Sequence, residues 1–346
     1  AYHFDRTFTI LSRESTAGEF DSTSAISSDE VANAIFSRNA QVEARADVTI
    51  KVIPLKGDWE AAGKGDSRGG NKTFEERVRN NSLVGGSQYD LIATHSAYLA
   101  NLAVEGLGMD LTTLEDIHLT RRWWSEAYYN ECNYNGAIYM MVGDLAYTLY
   151  DYMEVVFFNA DMASRYEEIG DLYDLALEGS WTYARMKEYA GLVNYNPDAD
   201  ENTREYGLLT NCHAQRAFAN AIEANYLVKQ EDGTRLYPDT MNETAEKRLS
   251  DFISFVRAGD GVLSPRTWDD AKGTESPIFS SGRALFYMQT LGESLTLKGT
   301  MSDSYGVLPF PKWDDTQIEY HTSTKDSVTS VMIPRNIADP KSTGVV

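Results

Sequence analysis

Cysteine is scarce in this chain of 346 residues, with only Cys132 and Cys212. That excludes a disulfide-stapled scaffold and any paired-cysteine zinc motif. One Cys132–Cys212 bridge stays open, and two buried thiols are the simpler expectation. The five histidines never fall at i, i+4 with a Glu between them, so no zinc-protease signature is present and no metal is expected. Basic residues are few: 31 Lys and Arg stand against 52 Asp and Glu, a net charge of −21. Such a surface repels phosphate backbones and anionic lipid, which argues against nucleic acid as a partner. No run approaches the roughly 18 apolar residues of a membrane span. The first residues, Ala1 to Asp5, lack the basic region and apolar stretch of a secretion signal. A cytosolic chain and a mature exported form both fit that start. Gly-x-Ser-x-Gly elbows, phosphate-cradling glycine loops, nucleotide fingerprints and internal repeats are all missing, so no cofactor is expected.

What remains is enough apolar sequence, 42%, for two cores, and a length that suits two domains. Thr9, Ile10 and Leu11 with Phe8 read as a buried strand. Asp29 to Glu43 has helical spacing, with Val31, Ala34, Ile35 and Val42 on one face and Ser28 or Asp29 as cap. Val48 to Ile53 is a second strand, ended by Pro54. Strand, helix, strand in that order suggests a parallel crossover. A helix is predicted over Phe74 to Gly86, and strands over Tyr89–Ala93, Ala137–Met141 and Met153–Phe158. The alternation continues with helices at Met186–Val193, Ala214–Tyr226 and Ala245–Ala258. Strands follow at Tyr206–Leu209, Ala284–Met288 and Tyr305–Leu308. Asp232-Gly233 reads as a hairpin turn. Pro340 to Val346 has the look of a helix start. The fold class is α/β, with mixed sheets flanked by helices.

The stretch from Met153 to Tyr189 is more specific. Val155-Val156-Phe157-Phe158-Asn159-Ala160-Asp161-Met162 leads to Asp171-Leu172-Tyr173-Asp174, then Gly179-Ser180-Trp181-Thr182. Further segments come in the matching order, including Tyr89-Asp90-Leu91, Phe279 to Phe286, Tyr305 to Lys312 and Val331 to Pro334. This ordered set resembles the family 1 extracellular solute-binding proteins of ABC importers, of the maltose-binding-protein-like carbohydrate type. The resemblance implies a two-lobed periplasmic-binding-protein-like fold (type II) with a ligand cleft between the lobes. It places the first lobe at 1–143 plus 330–346 and the second at 150–322. Hinge crossings fall at 144–149 and 323–329. It also implies more helices than this chain has, so a C-terminally truncated first lobe is expected. The implied protein is a monomer outside the cell, either periplasmic or held at the surface by a lipid anchor. It hands its ligand to permease subunits of an ABC transporter.

In such sheets the loops after strand ends carry ligand contacts. Arg13, Glu14, Thr94, His95 and Ser96 are the candidates in the first lobe, and Thr94 to Ala97 matches a segment that touches sugar in the family. Asp144 falls near a position where the family places an acid or amide; as a simple turn residue it fits equally well. Asn211 is the preferred contact of the second lobe. Gln289 stands where the family often has a stacking aromatic, which weakens a maltose-like reading. Asp326 lies near the return crossing. Trp181 reads as core. Trp123 and Trp124 fit a cleft wall or a packing role equally, while Trp59, Trp268 and Trp313 lie in loops where a ring can stack on a sugar. Asp198 to Asn202 resembles a calcium loop but lacks its Gly and its final Glu, so it reads as a solvated acidic loop.

The expected function is carbohydrate binding without turnover. A glycoside hydrolase, which needs two carboxylates about 5–9 Å apart, is the rival enzyme. A binding protein for peptides or polyamines is the rival suggested by the excess of acid.

Overall fold

The computed structural model describes residues 2–21, 29–58, 69–224, 228–230, 234–236, 243–265 and 273–346. The chain forms two compact units. The first runs to Leu149 and resumes from Asp326 to Val346; the second takes Tyr150–Gln230 and Arg235–Lys325. Its strands, in chain order, are β1 (Arg6–Arg13), β2 (Val48–Leu55), β3 (Leu91–His95), β4 (Glu154–Asn159), β5 (Tyr206–Leu209), β6 (Val228–Lys229), β7 (Arg235–Leu236), β8 (Val262–Leu263), β9 (Ala284–Thr290), β10 (Tyr305–Leu308) and β11 (Thr329–Met332).

The first unit is built on a sheet of order β11-β3-β1-β2. β1, β2 and β3 are parallel, and β11 runs antiparallel to β3 with Val331 opposite Ala93. Side chains alternate between two faces. Leu11 and Ile92 pack with Phe74, Val78, Leu99 and Leu102 from the Gly69–Ser82 and Ser96–Val104 helices. Phe8, Ile10, Val48, Ala93 and Val331 form the opposite layer with Ala46 of the Glu30–Ala46 helix. That helix starts at Asp29, whose carboxylate accepts the Val31 and Ala32 N–H groups, and ends at Asp47 in the left-handed region (φ 55°). Pro54 does not end β2, which continues to Leu55. β2 is an edge strand, and an edge tolerates the missing N–H.

The apolar run Ala137–Met141 is not a strand. Met141 alone bridges Val331, with both backbone hydrogen bonds made (2.9 and 3.0 Å), and Ala137 bridges Tyr134 across a tight turn. The run is buried coil: Ile138 and Met141 are inaccessible, and the Ile138 carbonyl is taken by the Leu111 N–H.

The second unit holds a sheet of order β10-β4-β9-β5-β8. β5 is parallel to both β8 and β9, while β4 is antiparallel to β9 and β10. Val156 and Phe158 on one face of β4 join a large core with Trp181, Phe218, Phe252 and Phe286. Trp181 is inaccessible, and its indole N–H donates to the Pro309 carbonyl at 2.9 Å. Val155 and Phe157 face a second layer with Phe279, Tyr287 and Leu297. β6 and β7 pair as an antiparallel two-stranded ribbon; Asp232-Gly233, read as its turn, lies outside the described residues. The Cys212–Ala221 helix stops five residues short of the predicted Tyr226, at Ile222, before Glu223 turns left-handed (φ 55°). Trp313 stacks on Tyr183 (5.0 Å, 15°), so it packs within the second unit. Cys132 and Cys212 are not bridged. Among the described residues no helix is long and apolar enough to cross a membrane.

Gly207 in β5 lies against the Ala190 backbone, where a side chain has no room. Gly299 in the Glu293–Thr300 helix faces open space. Gly207→Ala is expected to destabilise the second unit by about 1–3 kcal/mol. Gly299→Ala is expected to stabilise it by about 0.5–1 kcal/mol. Urea denaturation of both variants measures the pair; equal midpoints would contradict the packing at Ala190.

Candidate functional site

In both units the polar side chains gather at the carboxyl ends of the parallel strands. In the first unit Arg13 ends β1, Asp58 follows β2, and His95 ends β3. Asp58 ties them together. Its carboxylate lies 3.5 Å from Arg13 Nε and 3.8 Å from His95 Nε2, and accepts the Ser15 hydroxyl at 2.7 Å. Arg13 is only 1% exposed, and its Nε also donates to Thr16 Oγ1 at 3.3 Å. Behind it sits Glu19, fully buried, whose carboxylate accepts the Thr148 N–H at 2.8 Å. Burial raises the Glu19 carboxyl against hydrogen bonds from Thr329 and Thr148 and the charge of Arg13.

His95 is pushed the other way. Burial, reinforced by the Arg13 charge, lowers it to about 3. Asp58 at 3.8 Å is beyond hydrogen-bond reach, and the His95 Nε2 atom has no hydrogen-bond partner among the described residues. His95 is therefore a neutral imidazole.

The predicted residues of this unit separate into three groups. Arg13, Thr94 and His95 converge, but they are buried (1%, 1% and 9% exposed). Thr94 and His95 belong to β3 itself and not to a loop after it, because β11 pairs with them through Ser330 and Thr329. Ser96 opens a helix, and its hydroxyl lies in a closed set with Ser330 (2.5 Å) and Tyr128 (2.7 Å). Glu14, Asp144 and Asp326 are exposed. Glu14 begins a 3-10 turn after β1, and Asp326 reaches the same helix start as Ser96, its carbonyl accepting the Ala97 N–H at 3.3 Å. Asp144 belongs to a turn whose N–H donates to Trp123 O at 2.8 Å.

In the second unit Asn211 is the N-cap of the Cys212–Ala221 helix, accepting the His213 and Ala214 N–H groups at 3.0 Å. Its amide donates to Met288 O at 3.5 Å, beside Gln289. Gln289 Oε1 accepts the Thr290 N–H (2.9 Å) and the Lys325 ammonium (3.5 Å). Opposite Thr290 stands Glu154, at the start of β4. It is 1% exposed, and neither carboxylate oxygen has a hydrogen-bond partner among the described residues. Burial pushes it up to about 7, although Lys325 and Arg216 pull it down.

Asp58, Glu19, Glu154 and Lys325 escaped the sequence reading. For Asp58 a signal existed: it follows β2 as Glu14 follows β1 and Ser96 follows β3. Glu154 was hidden by its place at the head of an apolar run. A cavity of about 440 Å³ also opens in the first unit, lined by Phe8, Phe20, Leu145, Val346, Trp123 and Trp124 among others. No predicted site residue lines it, and Trp123 and Trp124 are walls of this apolar space. Among the described residues no cluster of His, Cys, Asp or Glu could hold a metal ion.

No family model and no curated protein sequence matches the chain. Solved structures do. A cyclo/maltodextrin-binding protein complexed with maltotetraose aligns at a TM-score of 0.63 and 14% identity, over 98% of this chain and 74% of its own. The maltose-binding periplasmic protein of Listeria monocytogenes, in complex with maltose, gives 0.61 and 11% over 98% and 73%. An ABC substrate-binding protein from the same organism, in complex with cycloalternan, gives 0.55 and 13% over 98% and 73%. The chain has the maltose-binding-protein fold. With that fold, the strand-end clusters of the two sheets occupy the sheet edges where open α/β structures present ligand-binding loops.

Two predictions follow from the chemistry of these clusters. Asn211→Ala should lower stability by about 0.5–2 kcal/mol through loss of the helix cap, and Asn211→Ser should recover most of it, read by urea denaturation. His95 should show no protonation by imidazole NMR down to about pH 4. Its depressed value makes stability complete above the unfolded value of about 6.5 and progressively lost as pH falls toward 3. An imidazole titrating near 6.5 in the folded protein would contradict the buried placement.

Proposed function

We propose that this chain is a carbohydrate-binding protein of an ABC importer, capturing an oligosaccharide without chemical change. The observation that carries the reading is the gathering of polar side chains at the carboxyl strand ends of both sheets in a maltose-binding-protein fold. Hydroxyl-rich ligands need both donors and acceptors; Asn211, Gln289, Thr290 and Ser15 carry groups of both kinds, and Asp58 adds an acceptor. The neighbours crystallised with maltotetraose, maltose and cycloalternan support the class of ligand. The contacts assigned are Glu14, Asp144 and Asp326 with the strand-end groups Ser96, Asn211 and Gln289. Arg13, Thr94 and His95 are the buried groups of the first unit's own strand ends. The partner in this reading is the permease of the importer. The protein acts as a monomer outside the cytoplasm, in the periplasm or lipid-anchored at the surface, as a family 1 member.

The test is a thermal-melt screen against maltose, maltotetraose and cyclic oligosaccharides, with spermidine and short peptides as controls and chromatography for products. A bound sugar at about 100 times its Kd should stabilise the protein by roughly 2.7 kcal/mol. A sugar response with no product supports the proposal. Released shorter sugars would make the protein a hydrolase, and responses to amines or peptides alone would overturn the ligand class.

A further inference from the structure

A buried carboxylate sits where the chain comes into the second unit and where it goes out again. The chain comes in at Tyr150 and leaves at Lys325, and these two segments are paired. Glu154 N donates to Ser323 O at 2.9 Å, Lys325 N to Tyr152 O at 3.0 Å, and Thr322 Oγ1 to Glu154 O at 2.5 Å. Met153 and Thr324 form the bridge between them. The Glu154 side chain is enclosed at this pairing with no hydrogen bond to either oxygen among the described residues. Glu19, a buried acid of the first unit, accepts the Thr148 N–H through Oε1, and only its Oε2 has no hydrogen-bond partner among the described residues.

The charged groups around Glu154 come from three elements. The Cys212–Ala221 helix brings Arg216, and the outgoing segment brings Lys325. β9 brings the Tyr287 phenol, on which Glu275 and Glu293 also act. Neither cation closes on Glu154: among the described residues no ion pair within 4.0 Å joins them. Arg216 Nη2 bonds His213 Nδ1 at 3.0 Å, and Lys325 Nζ turns to Gln289. A neutral acid suits this enclosed site. An ionised one lacks the two or three hydrogen bonds that a buried carboxylate needs, and draws on both cations.

We propose that Glu154 is a proton-operated latch on the paired segments 152–154 and 322–325: protonated, it leaves the pairing tight; ionised, it favours their opening toward water, Lys325 and Arg216. The sign follows from burial, which raises the folded carboxyl above its unfolded value of 4.5 to about 7. Its contribution is complete below 4.5 and is lost as pH climbs through 7.

The experiment is amide hydrogen exchange of the whole chain between pH 5 and 8, corrected for intrinsic rates, with Phe157 as the internal reference. Opening at Glu154 and Lys325 should become easier by up to about tenfold per pH unit between 5 and 7 and level off above. Glu154→Gln, which keeps the shape and removes the charge, should abolish that slope. A carbon-detected titration of the wild-type Glu154 carboxyl should give a midpoint near neutrality, and it needs no variant to fold. A midpoint between 4 and 5, or the same slope in Glu154→Gln, would overturn the proposal.

Discussion

Parallel strands that finish at one edge gather their last polar side chains there, and the candidate site depends on how those groups are satisfied. β1, β2 and β3 deliver Arg13, Asp58 and His95 to a single edge because their register is fixed by the crossovers that join them. The Arg13 guanidinium is nearly inaccessible, and an uncompensated charge there would cost several kcal/mol. Asp58 and Glu19 supply opposite charge and Thr16 accepts from Nε, while Nη2 has no hydrogen-bond partner among the described residues. The same enclosure strips His95 of its proton, since a second cation beside Arg13 cannot be accommodated.

The second unit solves the corresponding problem differently. β4 runs antiparallel to β9, so its first residue, not its last, reaches the carboxyl edge of the sheet. Glu154 arrives there on the face that carries Val156 and Phe158 into the core. Its neighbours Gln289 and Thr290 satisfy each other, and the nearby cations are engaged elsewhere. The first unit sets buried charges of opposite sign against each other, and the second has a solitary acid. The cost of ionisation is concentrated on one residue in the second and spread over several in the first.

Most of this fold was legible in local pattern. The alternating Phe8–Leu11 segment, the Asp29 cap and the Val155–Asn159 run each produced the element their spacing implies. What failed has a physical reason in each case. Ala137–Met141 has strand composition, but only Met141 reaches an open partner on β11, so the run stays coil. Pro54 looked like a terminator because an edge position is not visible in a linear sequence. The site was less legible than the fold. Arg13, Thr94 and His95 were found because they follow apolar runs, but their burial comes from β11 and from Glu19, which lie far away in sequence. Asp58 and Glu154 become functional candidates only when the register of separate strands is known.

The local charge at the strand ends bears on ligand class in a way the net charge of −21 does not. In the first unit the Arg13 cation is matched by Asp58 and Glu19. In the second, Arg216 and Lys325 stand beside a single acid that is readily neutral. In the first unit a cationic ligand would meet the exposed Glu14 and Asp326 carboxylates above a buried Arg13, and in the second two cations beside Glu154, so the two strand-end clusters differ in what they would favour. A neutral polyhydroxyl ligand is indifferent to that difference, and it can both donate to and accept from the amides and hydroxyls that end β5 and β9.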